Sequence, residues 1–396
     1  MMLYLEEIVF EASKRIKELP PYLFAKLDEE VREAKRAGMD IIDLGVGDPD
    51  MPPPKRMLDE LKCLIDSPRI HSYPPYGGTA ALKEEAALFL KERHGIDVDP
   101  RSQVLILIGS KEGLSHLPLA VIDNGDIVGV PDPYFPAYLH ATILAGGRPY
   151  MMRLREEDGF LPRLSDIPKD ILSRTRLVFL NYPNNPTTAT ATADFFEEVV
   201  YLARKYGFVV CHDAAYIDIA VQNAKQPALM SIKGAKDVSV EFFTFSKVFN
   251  ICGWRIGVCV GNKDIISSLL RTKMVVDSGQ FMALEEAVRV GIRECSNFVD
   301  DMCDVYKERR KVLEDALVRA GFVCYPTTHT FYIWAKVPQG LDSAGATSRL
   351  LEATGVVAAP GSGFGEGGEG YVRFSLTAPT EKICEAASRI SAARLI

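Results

Sequence analysis

The chain has no long hydrophobic run and no cluster of Lys and Arg. Its first twenty residues mix acidic with apolar side chains, which argues against a signal peptide or a membrane span. The net charge of -7 over 396 residues argues against nucleic acid as the main partner. Hydrophobic residues make up 47% and charged residues 25%, a composition typical of a soluble globular protein.

Metal-binding and disulfide patterns are also missing. The eight cysteines form no CxxC pair, and most stand in apolar segments, so we expect reduced core cysteines in a cytoplasmic protein and no metal site. No HExxH-like pair and no Walker A sequence is present. Gly363, Gly365 and Gly368 fit GxGxxG, but a strand follows them where a dinucleotide site needs a helix. This stretch is therefore interpreted as a flexible surface loop.

Helical and strand patterns alternate from about residue 75 to 265. Amphipathic helices are predicted over residues 80–95 and 193–207. Buried strands are predicted in VLILIG, IVGVPDP, LVFLNYP, FVVCHDAA, EFFTFS and GVCVGN. Such alternation predicts an α/β domain with a mostly parallel sheet covered by helices.

The pattern changes after about residue 285, where helical stretches at 284–320, 343–354 and 380–394 flank the strands GFVCYP, FYIWAKV and YVRFSL. This change predicts a second, smaller α+β domain. Helical patterns also fill residues 1–40, apart from a break at ELPPYLF.

The predicted domain division has three parts. An N-terminal arm over 1–45 would join the small domain, the large domain would span 46–285, and the small domain would span 286–396. A chain of this length is too long for one simple core, which supports two domains.

Polar or aromatic residues follow several of the predicted strands, in IGSKEG, PDPYFPAY, NYPNNPT, HDAAY and FTFSK. In an open α/β sheet, ligands bind outside the carboxyl ends of the strands. The sequence therefore predicts a binding site at that edge of the sheet.

Lys247 stands in the apolar stretch FTFSKVFNICGWRIG, with no carboxylate close in sequence. Burial would favour its neutral, nucleophilic amine, and such lysines form Schiff bases with carbonyl groups. The alternative is a lysine at a strand end whose ammonium reaches solvent. The local sequence leaves both interpretations open.

Five residues could bind a phosphate group. Thr244 and Ser246 provide hydroxyl groups, and Arg255 provides a guanidinium that can bind an anion through two N–H groups. Ser110 and Lys111 begin a predicted helix, whose first backbone N–H groups favour a phosphate.

Four further residues suit the ring of a cofactor. Asp213 follows a buried strand, where a carboxylate needs a cationic or N–H partner. Tyr216, Asn185 and Phe135 add a phenol, an amide and a flat ring. Together with the amine of Lys247 and the phosphate-binding groups, they suit pyridoxal phosphate.

Over nearly its whole length the sequence resembles the class I/II (fold-type I) pyridoxal-phosphate aminotransferases. The resemblance is carried by GSK, PYFP, NNPT, DAAY and SK in that order, followed by two arginines. Within the class, the stretches FLNYPNNPT, CHDAAY, GWRIG and PGSGFGEGGEGYVRFSL resemble the LL-diaminopimelate aminotransferase group.

The resemblance implies a role for each ring-binding residue. Lys247 would bind the cofactor covalently and, once released by the substrate, move the proton at the substrate Cα. Asp213 would pair with the pyridine nitrogen. Tyr216 and Asn185 would hydrogen-bond the phenolic oxygen of the ring, and Phe135 would stack on the ring.

The resemblance also implies a shared site in a homodimer. Within one chain the phosphate would be held by Thr244, Ser246, Arg255 and the N–H groups of Ser110 and Lys111. Tyr73 would reach the phosphate of the neighbouring subunit. Arg373 would bind the α-carboxylate of the substrate, helped by Asn185 and the backbone of Gly47.

Three positions depart from the resemblance. Thr188 replaces the glycine of NPTG, which predicts a slightly different turn. Gly77 stands where relatives usually have a glutamate, and Val275 where they tend to be polar. We expect a pocket that lacks this acid and amide to suit a less charged side chain.

The expected reaction is amino transfer between an amino acid and a 2-oxo acid, with LL-diaminopimelate and 2-oxoglutarate as first candidates, in lysine biosynthesis. Aspartate, alanine, methionine or an aromatic amino acid are alternative substrates. A pyridoxal-phosphate β-lyase or decarboxylase would have the same kind of cofactor-binding residues, but it would not consume an oxo-acid acceptor. A non-catalytic sensor would usually carry a DNA-binding segment, and none is visible in the first 40 residues.

Overall fold

The computed structural model describes residues 10–20, 25–222 and 224–393. The helical pattern predicted for residues 1–9 lies outside these ranges. No helix within them is long and apolar enough to cross a membrane.

The described helices are α1 (Lys14–Glu18), α2 (Ala25–Arg36), α3 (Lys55–Leu64), α4 (Ala80–His94), α5 (Ser110–Val121), α6 (Ala137–Leu144), α7 (Lys169–Leu172), α8 (Ala193–Tyr206), α9 (Ala235–Val238), α10 (Phe245–Val248), α11 (Lys263–Val276), α12 (Met282–Glu294), α13 (Phe298–Arg319), α14 (Ser343–Thr354) and α15 (Thr380–Ala392). The described strands are β1 (Ile42–Asp43), β2 (Val104–Leu107), β3 (Ile127–Asp132), β4 (Arg148–Arg153), β5 (Thr175–Asn181), β6 (Val209–Asp213), β7 (Ser239–Thr244), β8 (Gly257–Gly261), β9 (Val323–Cys324), β10 (Tyr332–Lys336), β11 (Val356–Val357), β12 (Ala359–Pro360) and β13 (Tyr371–Ser375).

The larger sheet has seven strands in the order β2-β8-β7-β6-β5-β3-β4. Strand β8 is antiparallel to both of its neighbours, and the other pairs are parallel. Alternate residues of β5 face two different apolar clusters: Leu177 and Phe179 face one, and Val178 and Leu180 face the other. A sheet with a core on both faces confirms the predicted α/β class.

Strand β4 was not predicted from the sequence. It is an edge strand, paired only with β3 among the described strands, and most of its side chains are exposed or half-buried. Its residues, RPYMMR, therefore lack the apolar run that identified the central strands.

The smaller part of the structure contains a four-stranded antiparallel sheet in the order β12-β13-β10-β9. Strand β1 pairs with β11, so the N-terminal segment is joined to the C-terminal part of the chain. The helical stretch predicted over 284–320 is two helices, α12 and α13, because the chain leaves the helical conformation between residues 294 and 298. The predicted domain boundaries at residues 46 and 286 remain predictions.

The glycine-rich stretch around Gly363 is not the surface loop expected from the sequence. Gly361, Gly363 and Gly368 are buried in two short 3-10 turns. The N–H of Gly367 donates to Asp132 Oδ1 at 2.7 Å. A Cβ at Gly361 would overlap the carbonyl oxygen of Gly368, so these glycines allow two backbone segments to touch.

Candidate active site

A cavity of about 440 Å³ lies at the carboxyl edge of the large sheet. Its walls include the ends of β5, β6 and β7, the start of α5, the loop after β1, and residues from the small sheet. The predicted site residues that line it are Gly47, Ser110, Lys111, Phe135, Asn185, Asp213, Tyr216, Thr244, Ser246, Lys247, Arg255 and Arg373. Tyr73 does not line it, and its side chain is 93% exposed in the single chain.

Lys247 lies in the single turn of α10, directly after β7. Its Nζ donates to the carbonyl oxygen of Gly47 at 3.0 Å and lies 3.2 Å from Cys252 Sγ. The centre of the Phe331 ring is 5.3 Å from the same nitrogen. No acidic side chain in the described ranges forms an ion pair with this lysine. The residue is half-buried, so the full burial suggested by its apolar neighbours is not found, and the amine borders the cavity.

The groups predicted to bind phosphate surround one end of the cavity. Ser246 Oγ is buried without a hydrogen-bond partner among the described residues. Helix α5 begins at Ser110, so its first N–H groups have no acceptor within the helix. Arg255 is exposed, and its guanidinium occupies the space that a Cβ at Gly109 would need. A buried orphan hydroxyl, a helix N-terminus and a guanidinium together fit an anion.

A buried ion-pair network holds α5 in place. Lys273 of α11 is fully buried, and its Nζ lies 3.2 Å from both carboxylate oxygens of Glu112 and 2.7 Å from Asp277 Oδ1. Glu112 also accepts the N–H of Ile108 at 2.6 Å. These contacts fix the first turn of α5, where the phosphate-binding N–H groups lie.

Asp213 is buried at the end of β6. Its carboxylate accepts the Tyr138 hydroxyl at 2.8 Å and the Ala215 N–H at 3.2 Å. Burial raises the pKa of Asp213 to about 6, although these two hydrogen bonds act in the opposite direction. A pyridine N–H⁺ would supply the cationic partner that this carboxylate lacks among the described residues.

Arg373, on β13, is held in a polar and aromatic frame. Its Nη1 donates to Asn185 Oδ1 and its Nη2 to the carbonyl oxygen of Gly45, each at 2.7 Å. Its guanidinium carbon lies 4.2 Å from the centre of the Tyr332 ring. Its Nε is buried without a partner in the described part of the chain, and no acidic residue there pairs with it. The guanidinium is therefore fixed and keeps N–H capacity for an anion.

Two backbone carbonyls of the loop after β1 contact predicted site residues. The carbonyl of Gly45 accepts from Arg373, and the carbonyl of Gly47 accepts from Lys247. A Cβ at Gly47 would overlap the Tyr332 hydroxyl, which in turn lies 3.2 Å from the Tyr216 hydroxyl. Burial raises the pKa of Tyr216 well above its ordinary value, so this phenol stays protonated.

Gly77 and Val275, the two positions expected to affect substrate preference, do not line this cavity in the single chain. A Cβ at Gly77 would lie 3.3 Å from Lys83 Nζ, so an acid at this position would be directed toward that lysine. Val275 is 87% exposed on the last turn of α11. The effect of Gly77 and Val275 on substrate preference stays a prediction.

Several lining residues were missed by the sequence reasoning: Asp28, Tyr138, Asn181, Cys252, Tyr332 and Phe364. Asn181 had a usable signal, since it is the last residue of an apolar strand, and its amide donates to the Asp213 carbonyl at 2.7 Å. Tyr138 was one helical turn from Phe135. Nothing in the sequence alone indicated that Tyr332 would meet Tyr216.

The residues present fit pyridoxal phosphate. The anion-binding end, with its unpartnered Ser246 hydroxyl, would hold the phosphate. Asp213 would face the ring nitrogen, and Lys247 has a free amine at the cavity wall. The individual roles remain predictions, whereas the grouping of these residues in one cavity is a structural observation.

The sequence and the structure are similar to known aminotransferases. The family model described as aminotransferase class I and II matches residues 39–390. An LL-diaminopimelate aminotransferase of Aquifex aeolicus is 46% identical over 98% of this chain and 100% of the relative. One of Syntrophobacter fumaroxidans is 45% identical over 97% of this chain and 99% of the relative. The structure of a probable N-succinyldiaminopimelate aminotransferase from Thermus thermophilus is 36% identical, with a TM-score of 0.88 over 93% of this chain and 99% of that one.

Proposed function

This chain belongs to aminotransferase class I and II, and on that premise we propose that it transfers the α-amino group of LL-diaminopimelate to 2-oxoglutarate. It is a pyridoxal-phosphate-dependent enzyme. The substrate is inferred from the LL-diaminopimelate aminotransferases that align with nearly all of this chain. Loss of one amino group gives the open form of tetrahydrodipicolinate, which would place the reaction in lysine biosynthesis.

One observation carries the proposal: an arginine and a lysine line one cavity, and neither pairs with an acidic side chain among the described residues. Arg373 has no acidic partner among the described residues and keeps an unused N–H group, so it suits the α-carboxylate of an amino acid. Lys247 borders the same cavity with its amine held by the Gly47 carbonyl. A carboxylate bound at Arg373 would place the adjacent Cα within the cavity that Lys247 faces.

The residues of this chain then have distinct tasks. Pyridoxal phosphate, when bound, supplies an electron sink for the electron pair left at Cα. Lys247 would take the proton from the Cα of the amino donor and, in the second half-reaction, would deliver a proton to the Cα of the acceptor. Asp213 keeps a positive charge on the ring nitrogen, and Tyr216 donates to the ring oxygen. Arg255, Ser246 and the first turn of α5 keep the phosphate in place.

We further propose a cytoplasmic homodimer with shared sites. Tyr73 and Val275 are 93% and 87% exposed, and Val276 beside Val275 is 56% exposed. Exposed apolar side chains of this size suit a subunit interface. Tyr73 would then reach the phosphate bound by the partner.

The test is a half-reaction with one amino acid at a time. The cofactor-loaded protein is mixed with LL-diaminopimelate, meso-diaminopimelate, aspartate, alanine, methionine or phenylalanine. LL-diaminopimelate should remove the visible cofactor absorbance fastest, and 2-oxoglutarate should restore it. In steady state, one glutamate should form for each oxo product, as measured by mass spectrometry.

Two results would contradict the proposal. Faster reaction with one of the other amino acids would reject LL-diaminopimelate as the preferred substrate but would still support aminotransferase activity. Product formation without 2-oxoglutarate consumption would indicate a β-lyase or decarboxylase instead.

A further inference from the structure

Cys252 lines the same cavity as Lys247 and contacts its amine. Cys252 Sγ lies 3.2 Å from Lys247 Nζ, and the thiol can donate to the carbonyl oxygen of Ser246 at 3.5 Å. The carbonyl oxygen of Gly47 is 3.0 Å from the same amine. One amine therefore has two acceptors, a backbone carbonyl from the loop after β1 and a sulfur from the segment after α10.

These two acceptors determine where the amine can direct its lone pair. A neutral amine has two N–H groups and one lone pair in tetrahedral directions. When Gly47 and Cys252 accept the two N–H groups, the lone pair occupies the remaining direction. Gly47, Cys252 and Lys247 all line the cavity that would hold the substrate.

We propose that Cys252 is a positioning residue for Lys247, whose released amine it holds, together with the Gly47 carbonyl, with the lone pair directed at the Cα–H bond of the bound amino acid. This inference rests on the proposed amino transfer, in which Lys247 removes that proton. Cys252 itself takes no proton from the substrate and forms no bond to it.

The environment of the thiol supports this role. Burial raises the pKa of Cys252, although the neighbouring Lys247 acts in the opposite direction. Asp48, from the loop after β1, also raises it, and Tyr306 of α13 is a further ionisable neighbour. A neutral thiol is a weak acceptor that orients the amine without holding an extra proton on it, as a thiolate would.

The kinetic test uses Cys252→Ala and Cys252→Ser, with the amino acid that the wild type converts fastest. Loss of the sulfur should lower kcat about five- to tenfold, the effect of one neutral hydrogen bond, with KM changed less than about twofold. The kinetic isotope effect with α-deuterated substrate should rise, because proton transfer at Cα becomes slower than the other steps. Serine keeps an acceptor and should recover most of the rate. Cys295→Ala, which removes a half-buried thiol outside the cavity, is the matched control.

A second test needs no catalysis. o-Phthalaldehyde forms a fluorescent isoindole only where an amine and a thiol are in contact. The cofactor-free full-length protein should form this product between Lys247 and Cys252, as located by peptide mass spectrometry. Cys252→Ala should lose it, Cys295→Ala should keep it, and added pyridoxal phosphate should protect against it.

The outcomes separate this inference from the proposed function. An unchanged isotope effect in Cys252→Ala, or equal loss in the alanine and serine variants, overturns the positioning role. Absence of the Lys247–Cys252 isoindole in the wild type overturns the contact itself. If LL-diaminopimelate is not a substrate but another amino acid is, the same tests apply with that amino acid.

Discussion

Asp213 is buried beside two hydrogen-bond donors and forms no ion pair within the described ranges. Burial raises its pKa from the ordinary 3.8 to about 6, so the folded protein binds this proton more tightly than the unfolded chain does. Its contribution to stability is therefore full below about pH 4 and is lost as the pH rises through 6.

We expect this loss to be measurable in the cofactor-free protein. The free energy of unfolding of the wild type, relative to that of Asp213→Asn, should fall by about 2.5 kcal/mol between pH 4 and pH 7. Urea denaturation at each pH gives both values, and the variant serves as the reference for all other titrating groups. A difference that stays constant over this range would show that the carboxyl is not held protonated by burial.

Arg373 offers a test at the other end of the cavity. Arg373→Ala should lower kcat/KM for amino acid substrates by a factor that corresponds to about 2–5 kcal/mol, because the substrate carboxylate would lose its buried partner. For amines without a carboxylate, kcat/KM should fall much less. Half-reaction rates for alanine and ethylamine give the comparison, and equal losses for the two would remove the arginine from carboxylate binding.

Thr188 adopts a φ of 64°, in the left-handed region that favours glycine. It is fully buried, and its Oγ1 has no hydrogen-bond partner in the described part of the chain. The chain therefore carries a β-branched residue in a conformation that favours glycine, and the slightly different turn expected from the sequence stays a prediction.

Relief of this strain should stabilise the protein. Thr188→Gly should raise the free energy of unfolding by about 1 kcal/mol, the cost of a left-handed non-glycine residue. Thr187→Gly is the matched control, because its Oγ1 donates to Asn184 Oδ1 at 2.8 Å and its loss should destabilise the protein. A destabilised Thr188→Gly would mean that the buried methyl group outweighs the strain.

At the scale of elements, the sequence predicted the central strands well because each is a continuous apolar run bounded by polar residues. It predicted the ends of β5, β6 and β7 as binding positions for the same reason, since parallel strands share one carboxyl edge. It failed for β4, whose exposed side chains give no such run. The sequence also did not predict that the turns around Gly363 are buried, because the strand they pack against is more than 200 residues away in sequence.

Contacts between distant segments explain the rest of the unpredicted site. Asn185 and Arg373 are 188 residues apart, and Lys247 and Gly47 are 200 apart. Periodicity and local motifs carry no information on such pairs. The resemblance supplied the residues but not these contacts, and the Gly45 carbonyl that accepts from Arg373 was not among the predicted site groups.

Helix α2 contributes Leu27 and Asp28 to the cavity wall, although no site residue was expected there. LL-diaminopimelate carries a second ammonium group, and Asp28 is an exposed acid at this wall. Asp28→Asn should raise KM for LL-diaminopimelate about two- to fivefold, as for an exposed ion pair. Amino acids without a second ammonium should be unaffected.

The neighbouring acid supplies the control for this experiment. Glu29 is exposed on the same helix and does not line the cavity, so Glu29→Gln should leave KM unchanged. Equal effects of the two substitutions would indicate a general change in surface charge rather than recognition at the wall.

At the scale of the whole molecule, the single chain already contains a cavity with the lysine, the buried acid and the arginine. In the single chain, four apolar residues stay exposed to solvent: Tyr73, Met274, Val275 and Val276. Val275 and its neighbours end α11, the helix whose Lys273 holds α5 and hence the phosphate-binding turn. A subunit interface at this end of α11 would therefore be coupled directly to the site.

Val275→Glu should disrupt such an interface, because it would place a charge where the partner would cover an exposed apolar side chain. If the proposed homodimer forms, sedimentation should show a dimer for the wild type and a monomer for the variant, and cofactor retention should fall because the partner would no longer supply Tyr73. Val318→Glu changes a valine that is 59% exposed on another helix, α13, so it should leave the sedimentation of the protein unchanged. A Val275→Glu protein that remains dimeric would place the interface elsewhere, and a monomer that retains the cofactor and full activity would show that one chain forms the complete site.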